Sequence, residues 1–205
     1  MLVGGVNSTE FMSHKTANFD ANREGYFHYV ILPHRYNTSS NSPGQAELPG
    51  DDLIVSLQCL NSDINIAHTI THQLGHNLNL RHGGDSNCNW KPNYNSVMNF
   101  KYQFPGVDNN CTPPGDGVLD YSVGDRVVLN EDSLNENLGT CGGPAWDWNG
   151  NTIIEPNVRF DINSSGNSTC GGTFTVLSDH NDWANIDLTG VQDADRAIFP
   201  KEIIS

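Results

Sequence analysis

Three histidines and a glutamine in residues 71–84, "THQLGHNLNLRHGG", are the residue types in this chain best suited to chemistry. On an α-helix, side chains four residues apart share one face with Cβ atoms about 6 Å apart, so His72 and His76 can aim at one ion. Asn79 tolerates the left-handed conformation that ends a helix and lets the chain turn back. His82 can then supply a third ligand. Three imidazoles with a fourth position open are typical of a catalytic zinc site.

A competing pair has the same spacing, because His68 lies four residues before His72. No third ligand is placed to serve that pair, so we assign His68 to packing or to support of the ligands. The four remaining histidines are predicted to be ordinary: His14, His28, His34 and His180.

The histidines need a helix, and the sequence predicts one over about residues 63–79. Asn61, Ser62 or Asp63 can cap its start. Apolar residues recur at helical spacing along it: Ile66, Ile70, Leu74 and Leu78.

Two apolar, β-branched segments are predicted to be strands that support this helix. Residues 25–36 are interpreted as a buried strand ended by Pro33, and residues 52–59 as a second strand. Between them, residues 44–50, "GQAELPG", can run extended along a sheet edge. After the helix the chain is rich in Gly, Pro, Asn and Asp, with one weak helical candidate at residues 123–138.

The histidine motif resembles that of the metzincin zinc peptidases, HExxHxxGxxH followed by a Met-containing turn. Here "HQLGHNLNLRH" stands in the place of the motif and "SVMNF", with Met98, in the place of the turn. The resemblance implies an α+β fold, with a mixed sheet and active-site helix in an upper lobe and an irregular lower lobe. These lobes would correspond to residues 1–82 and 83–205 of one catalytic domain. Met98 would form a hydrophobic floor beneath the ligands.

The resemblance also implies where a substrate lies and how much of the family's upper lobe is present. The segment at residues 44–50 would be the edge strand on which an extended peptide pairs its backbone. Only some 60 residues precede the helix, which is short for the family's upper lobe, so we expect an N-terminal truncation.

Three departures from the family pattern bear on activity. Asn79 replaces a glycine, which its conformational tolerance permits. Phe100 stands where several branches have a tyrosine, so the hydroxyl's role is lost or passes to Tyr102. Gln73 replaces the glutamate that takes a proton from the attacking water and delivers it to the leaving amine. Glutamine has no useful basicity, so hydrolysis is expected to fall while metal binding persists. Gln73 is either an engineered block or the mark of a natural inactive relative.

The overall charge and the cysteine content restrict the classes of molecule that this protein is expected to bind and the compartment in which it is expected to fold. A formal charge of −14 disfavours nucleic acid and anionic membranes, which leaves a peptide or protein substrate. The five cysteines lack the two-residue spacing of a thiolate zinc site. Cys141 and Cys170 each precede Gly-Gly, a setting that favours a disulfide, and Cys88 and Cys111 are candidates for a second bridge, with the pairing left open. An oxidising, extracellular location is expected, with any signal peptide absent from this chain.

Oxygen-bearing side chains at alternate positions near the C-terminus resemble the start of calcium loops. A surface rich in Asx-turns explains the same pattern. The candidates are Asp147, Asn149, Asn151, Asp161, Asn163, Asp179 and Asp182.

The sequence therefore predicts a zinc metalloendopeptidase inactivated at its base, with Zn²⁺ and, as a further candidate, Ca²⁺. One alternative is a non-catalytic peptide-binding pseudopeptidase that keeps the zinc. Another is a calcium-binding extracellular structural domain in which the histidines have no role.

Overall fold

The computed structural model has an α+β fold, as the sequence predicted. It describes residues 4–36, 41–58, 60, 62–112, 114–163, 170, 173–188 and 202–205. Within these ranges, none of the helices has the length and apolar character needed to cross a membrane. The described residues group into two compact units, one from residues 1–80 and 186–205 and the other from residues 81–185.

The first unit is built on a mixed four-stranded sheet in the order β1-β3-β2-β6. Its strands are β1 (Tyr29–Ile31), β2 (Gly44–Leu48), β3 (Asp52–Val55) and β6 (Glu202–Ile204). β1 runs parallel to β3, whereas β2 is antiparallel to both β3 and β6. Because successive side chains on a strand face opposite sides, β3 contributes to two cores. Ile54 packs with Phe11 of helix α1 (Thr9–Asn18), while Leu53 and Val55 pack with apolar residues of helix α2.

Helix α2 (Asp63–Asn77) carries the first two histidines of the motif. Ser62 caps it, with its hydroxyl accepting a hydrogen bond from the backbone N–H of Asn65. The helix ends where Asn79 adopts a φ of 73°. The predicted helix and the left-handed turn at Asn79 are thus confirmed.

The strand predictions were right in position and wrong in extent. β1 covers only three residues, and Val30 at its centre is 39% exposed, so the segment at residues 25–36 is not a buried strand. In the described part of the sheet β1 stands at one end of the strand order and pairs only with β3. β3 ends at Val55. The segment at residues 44–50 forms β2, which is not an edge strand because β3 and β6 flank it.

A buried ionic network links α1 to the sheet. The ammonium of Lys15 lies 2.7 Å from Asp52 Oδ1 and 3.6 Å from Asp51 Oδ2, with all three residues buried. Burial raises the pKa of Asp52 to about 6, although the Lys15 ammonium acts to lower it. Burial acts against the charge of Lys15, but the surrounding carboxylates of Asp52, Asp51 and Glu24 leave its pKa raised. The ammonium of Lys15 therefore offsets part of the negative charge of these buried carboxylates.

The second unit has little regular structure. It contains a two-stranded pair, β4 (Leu129–Asn130) and β5 (Val176–Leu177), and a short helix α3 (Asp182–Asn185). Buried carboxylates organise its loops: Glu131 accepts the backbone N–H groups of Ile162 and Thr175, and Glu136 those of Trp148 and Glu155. The weak helical candidate at residues 123–138 was largely wrong, since only residues 136–138 form a 3₁₀ turn.

Two disulfides close the loops of this unit, Cys88–Cys170 and Cys111–Cys141. A Cys88–Cys111 bridge was therefore the wrong pairing, as sequence spacing does not determine connectivity. Cys59 lies outside the described residues. Two disulfides indicate folding in an oxidising compartment.

Candidate metal centre

The side chain of Asn77 fixes the C-terminal end of α2 against the sheet. Its Nδ2 donates to the carbonyl oxygens of Glu47 (2.9 Å) and Asp52 (3.1 Å), at the ends of two neighbouring strands. Its Oδ1 lies 3.0 Å from Nδ1 of His28, and its own carbonyl accepts the N–H of Gly50. Asn77 is completely buried, so these bonds form away from competing water. The last turn of α2, which carries His76, is thereby held in one position.

The two helical histidines converge as the i, i+4 spacing predicted. Nε2 of His72 and Nε2 of His76 are 3.1 Å apart, and both residues are fully buried. Two nitrogens bound to one tetrahedral zinc at about 2.0–2.1 Å would be roughly 3.3 Å apart. The observed separation is thus close to that of two ligands of a single ion.

Backbone structure sets the tautomer of His76. Its Nδ1 lies 2.7 Å from the carbonyl oxygen of Leu80, which can only accept, so Nδ1 carries the proton. Nε2 is then left with a lone pair directed at the neighbouring imidazole. A metal-binding histidine commonly has this arrangement, with its second ring nitrogen oriented by a carbonyl.

His82 completes a group of three. The ligand atoms of His72, His76 and His82 all lie within 4.8 Å of one another, and all three residues are buried. The ring of Phe100 packs against His82 with centroids 4.5 Å apart. Neutral imidazoles favour zinc and other first-row transition metals over calcium or magnesium. This histidine group could hold a metal ion, and the donor set fits the zinc predicted from sequence.

Substitution His82→Ala is expected to lower the affinity for zinc by about 100-fold, because a buried imidazole ligand is lost and two ligands remain. Isothermal titration calorimetry with ZnCl₂ measures the change. His14→Ala is the matched control, since His14 is exposed and should leave the affinity unchanged. Equal zinc affinity in folded His82→Ala and wild type would remove His82 from the site.

Gln73 follows the first histidine and is buried against β2. Its Oε1 accepts no hydrogen bond among the described residues, although Gln73 is only 1% exposed. A buried amide oxygen without a donor is costly, so a water or ligand at this position is expected to satisfy it. A Cβ added to Gly44 would lie 2.7 to 2.9 Å from the Gln73 side chain. The missing side chain of Gly44 therefore makes room for residue 73.

Substitution Gly44→Ala is expected to displace the side chain of residue 73 with a stability loss of about 1 to 3 kcal/mol. Zinc affinity should not change, because residue 44 does not belong to the histidine group. Urea unfolding and zinc titration read these two effects separately. In a Gln73→Glu background the same substitution should also slow casein cleavage; unchanged stability and cleavage would show that residue 73 does not need this space.

Two further residues of the motif region are placed as follows. Met98 is fully buried, and its N–H donates to Ser96 Oγ at 3.2 Å; its role as a floor beneath the ligands stays a prediction. Tyr102 does not fit the hydroxyl role lost at Phe100. It is buried with its hydroxyl donating to the carbonyl of Pro92 at 2.5 Å, and burial raises its pKa well above the ordinary value. Its proton is thus committed to the backbone.

The calcium candidates make internal hydrogen bonds. Asp147 Oδ1 accepts the N–H groups of Gly150 and Asn151, as expected for an Asx-turn. The amides of Asn149 and Asn151 both donate to Glu155. No group of three potential metal-binding imidazoles or carboxylates includes a calcium candidate within the described ranges.

The remaining four candidate positions also make hydrogen bonds within the protein. The amide of Asn163 lies 3.0 Å from Asp161. Asp179 accepts from Ser122 Oγ, and Asp182 accepts from the Tyr94 hydroxyl. Calcium binding stays a prediction.

A second group of possible ligands, Glu47, Asp51 and Asp52, lies within 4.8 Å of one another. Lys15 already supplies a positive charge to this group, so the network accounts for it without an ion.

Two residues that shape the site were not identified from sequence, Asn77 and Gly44. Asn77 is the last residue of α2, where its type alone suggests a helix end. Gly44 lies in a turn-like Ser-Pro-Gly sequence. The need for a glycine at this position becomes clear only from the close approach of the Gln73 side chain in the structure.

Comparison of the chain with protein-family models, curated protein sequences and solved structures returns no match.

Proposed function

We propose that this protein is a secreted zinc-dependent metalloendopeptidase of metzincin type whose acid–base step is blocked by Gln73. The observation that carries the proposal is the group of three buried imidazoles within 4.8 Å, with residue 73 one position after the first. The motif in sequence and the preset tautomer of His76 support the same conclusion.

In this proposal His72, His76 and His82 hold the ion. When bound, zinc supplies Lewis acidity that polarises a peptide carbonyl and acidifies water. The residue at position 73 must then hold and move a proton, first from the attacking water and then to the leaving amine. The carboxamide of Gln73 can orient a water through Oε1, yet it cannot take the proton. The chain thus retains the residues for binding and positioning and lacks the base.

Gln73 itself favours the second candidate, a zinc-containing pseudopeptidase that binds peptides without cleaving them. Conversion of Gln73 to Glu with a casein cleavage assay separates the two. Cleavage by the variant supports the peptidase, whereas a folded, zinc-loaded variant that cleaves nothing supports the binding module. Metal analysis of the purified protein tests the third candidate, because calcium without stoichiometric zinc would favour a structural domain.

A further inference from the structure

His82 lies in a tight turn that is closed by backbone hydrogen bonds. The N–H of Arg81 donates to the carbonyl of Gly84 at 2.8 Å, and the N–H of Gly84 donates to the carbonyl of Arg81 at 3.0 Å, so His82 occupies the second position of this turn. The N–H of Gly84 and the carbonyl of Gly83 belong to one planar peptide group. The orientation of that peptide group therefore sets the course of the backbone directly after His82.

The carbonyl of this peptide group accepts a hydrogen bond from a buried lysine. Nζ of Lys91 lies 2.8 Å from the carbonyl oxygen of Gly83 and 2.8 Å from that of Ser178, and Lys91 is only 5% exposed. The ring of Tyr94 adds a cation–π contact, with its centroid 4.8 Å from Nζ. Among the described residues, no carboxylate forms an ion pair with this ammonium. Its donors are thus directed at backbone carbonyls.

The ammonium of Lys91 is costly to bury, and its loss would be costly for the turn. Burial lowers the pKa of Lys91, while nearby carboxylates, that of Asp85 foremost, act to raise it. A charge-assisted hydrogen bond is roughly twice as strong as a neutral one, so the ammonium holds the Gly83 carbonyl firmly. Because Gly83 is buried, its carbonyl would lack a donor if Lys91 were removed. The peptide group is then expected to rotate toward another donor, and the backbone at His82 to move with it.

The second carbonyl that Lys91 binds belongs to an anchored segment of the same unit. Asp182, four residues after Ser178, is fully buried and accepts hydrogen bonds from a tyrosine hydroxyl at 2.9 Å and from a backbone N–H at 3.0 Å. Between them, the side chain of His180 packs directly on Gly84, where an added Cβ would lie 2.4 Å from His180 Cγ. Lys91 therefore holds the turn against a segment that is itself fixed.

We propose that Lys91 is a positioning residue for the third histidine, which acts through the Gly83 carbonyl to preset the turn of His82 before a metal binds. Lys91 does not itself belong to the histidine group. A turn that is already ordered loses less conformational entropy when an ion binds, so Lys91 raises the affinity of the group. The inference rests on the proposed function in that it takes His82 to be a zinc ligand.

The first test compares Lys91→Met with a matched control, Asn93→Leu. Asn93 is also fully buried, and its amide donates to the carbonyls of Val127 at 2.8 Å and Leu177 at 2.9 Å. Each substitution removes the side-chain donor of two carbonyl groups, one of them in the same anchored segment. Only Lys91→Met releases the turn of His82.

Isothermal titration calorimetry with ZnCl₂ measures the difference. Lys91→Met should bind zinc at least tenfold more weakly than wild type, the usual effect of losing a group that orients a metal ligand. Asn93→Leu should bind zinc as tightly as wild type, although urea should unfold both variants at lower concentration. Equal zinc affinity in wild type and folded Lys91→Met would overturn the proposal. An equal loss in both variants would also overturn it, since that loss would reflect a general loosening of the second unit.

The second test uses the unaltered chain and does not depend on a variant that folds. Hydrogen exchange at the Gly84 amide is followed by NMR in the metal-free protein and after addition of zinc. A preset turn should protect this amide without zinc, and zinc should add little further protection. An unprotected Gly84 amide in the folded, metal-free chain would overturn the proposal.

Failure of this inference and failure of the proposed function give different results. A folded wild type that binds no zinc would contradict the proposed function. Loss of Gly84 protection in Lys91→Met would still show that Lys91 holds the turn, and unchanged protection would overturn this inference as well. Full zinc affinity in Lys91→Met would leave the proposed function standing and overturn only the role of Lys91.

Discussion

Replacement of Gln73 by Glu is expected to raise the rate of casein cleavage by roughly 10²- to 10⁴-fold, the usual contribution of general acid–base catalysis. The two side chains have nearly the same shape, so the space beside Gly44 that accepts glutamine should also accept glutamate. Only the basicity changes. The measurement is the initial rate of cleavage of a labelled casein by zinc-loaded protein, with the wild-type chain as reference.

Two companion variants make this result interpretable. Gln73→Asp has a carboxylate that is one methylene shorter, so it should recover much less activity than Gln73→Glu. A Gln73→Glu/His82→Ala protein should be as slow as wild type, because the carboxylate at residue 73 needs a zinc ion held by all three histidines for catalysis. If the double variant cleaves as fast as Gln73→Glu, the activity does not arise at the histidine group.

The second large effect is expected at Lys15. Substitution Lys15→Met keeps a long, unbranched side chain but removes the ammonium from the carboxylates of Asp51 and Asp52. Removal of one partner from a buried ion pair typically destabilises a protein by about 3 to 5 kcal/mol. Urea unfolding at pH 7.5 should show a loss of this size. A Lys15→Met/Asp52→Asn protein should regain part of it, since one uncompensated charge is removed.

The loss should shrink at low pH. The folded-state pKa of Asp52, about 6, lies above its ordinary value of 3.8, so between these values the folded state binds more protons than the unfolded state. The contribution of Asp52 to stability is therefore fully present below about pH 4 and is lost as the pH rises through 6. Without Lys15 the pKa of Asp52 should rise further, and the variant should gain stability as the pH falls from 8 to 5. A pH-independent difference between variant and wild type would contradict this account.

The histidine helix could be predicted from sequence because its signals are local. Apolar residues at helical spacing, three candidate caps and a turn-forming asparagine lie within residues 61–79. In the structure Ile70 and Leu74 pack against the sheet, Ser62 is the cap, and Asn79 adopts the left-handed conformation. The positions of β1 and β3 could also be predicted, since apolar and β-branched residues cluster in them. The lengths of the strands and the strands with which they pair could not be predicted, because they depend on which distant segment covers each edge.

The errors have a common physical origin in long-range pairing. β2 was expected at an edge, and only the return of residues 202–204 places it inside the sheet. The disulfide partners of Cys88 and Cys111 lie 82 and 30 residues away, and no local spacing encodes them. The role of Lys15 was not predicted either, since its carboxylate partners Asp51 and Asp52 lie 36 and 37 residues further along the chain.

The hydrogen bond from His76 to the Leu80 carbonyl has a thermodynamic consequence. That carbonyl lies just past the left-handed residue that closes α2, so the imidazole keeps its orientation only while this reverse bend is intact. If a cation binds more tightly to His76 when the ring is held in this orientation, cation binding stabilises the bend by the same free energy. Any event that opens the bend must then promote release of the cation. Cation occupancy at the histidine group and backbone order at residues 77–80 are thus coupled, so a change in one can be detected by measuring the other.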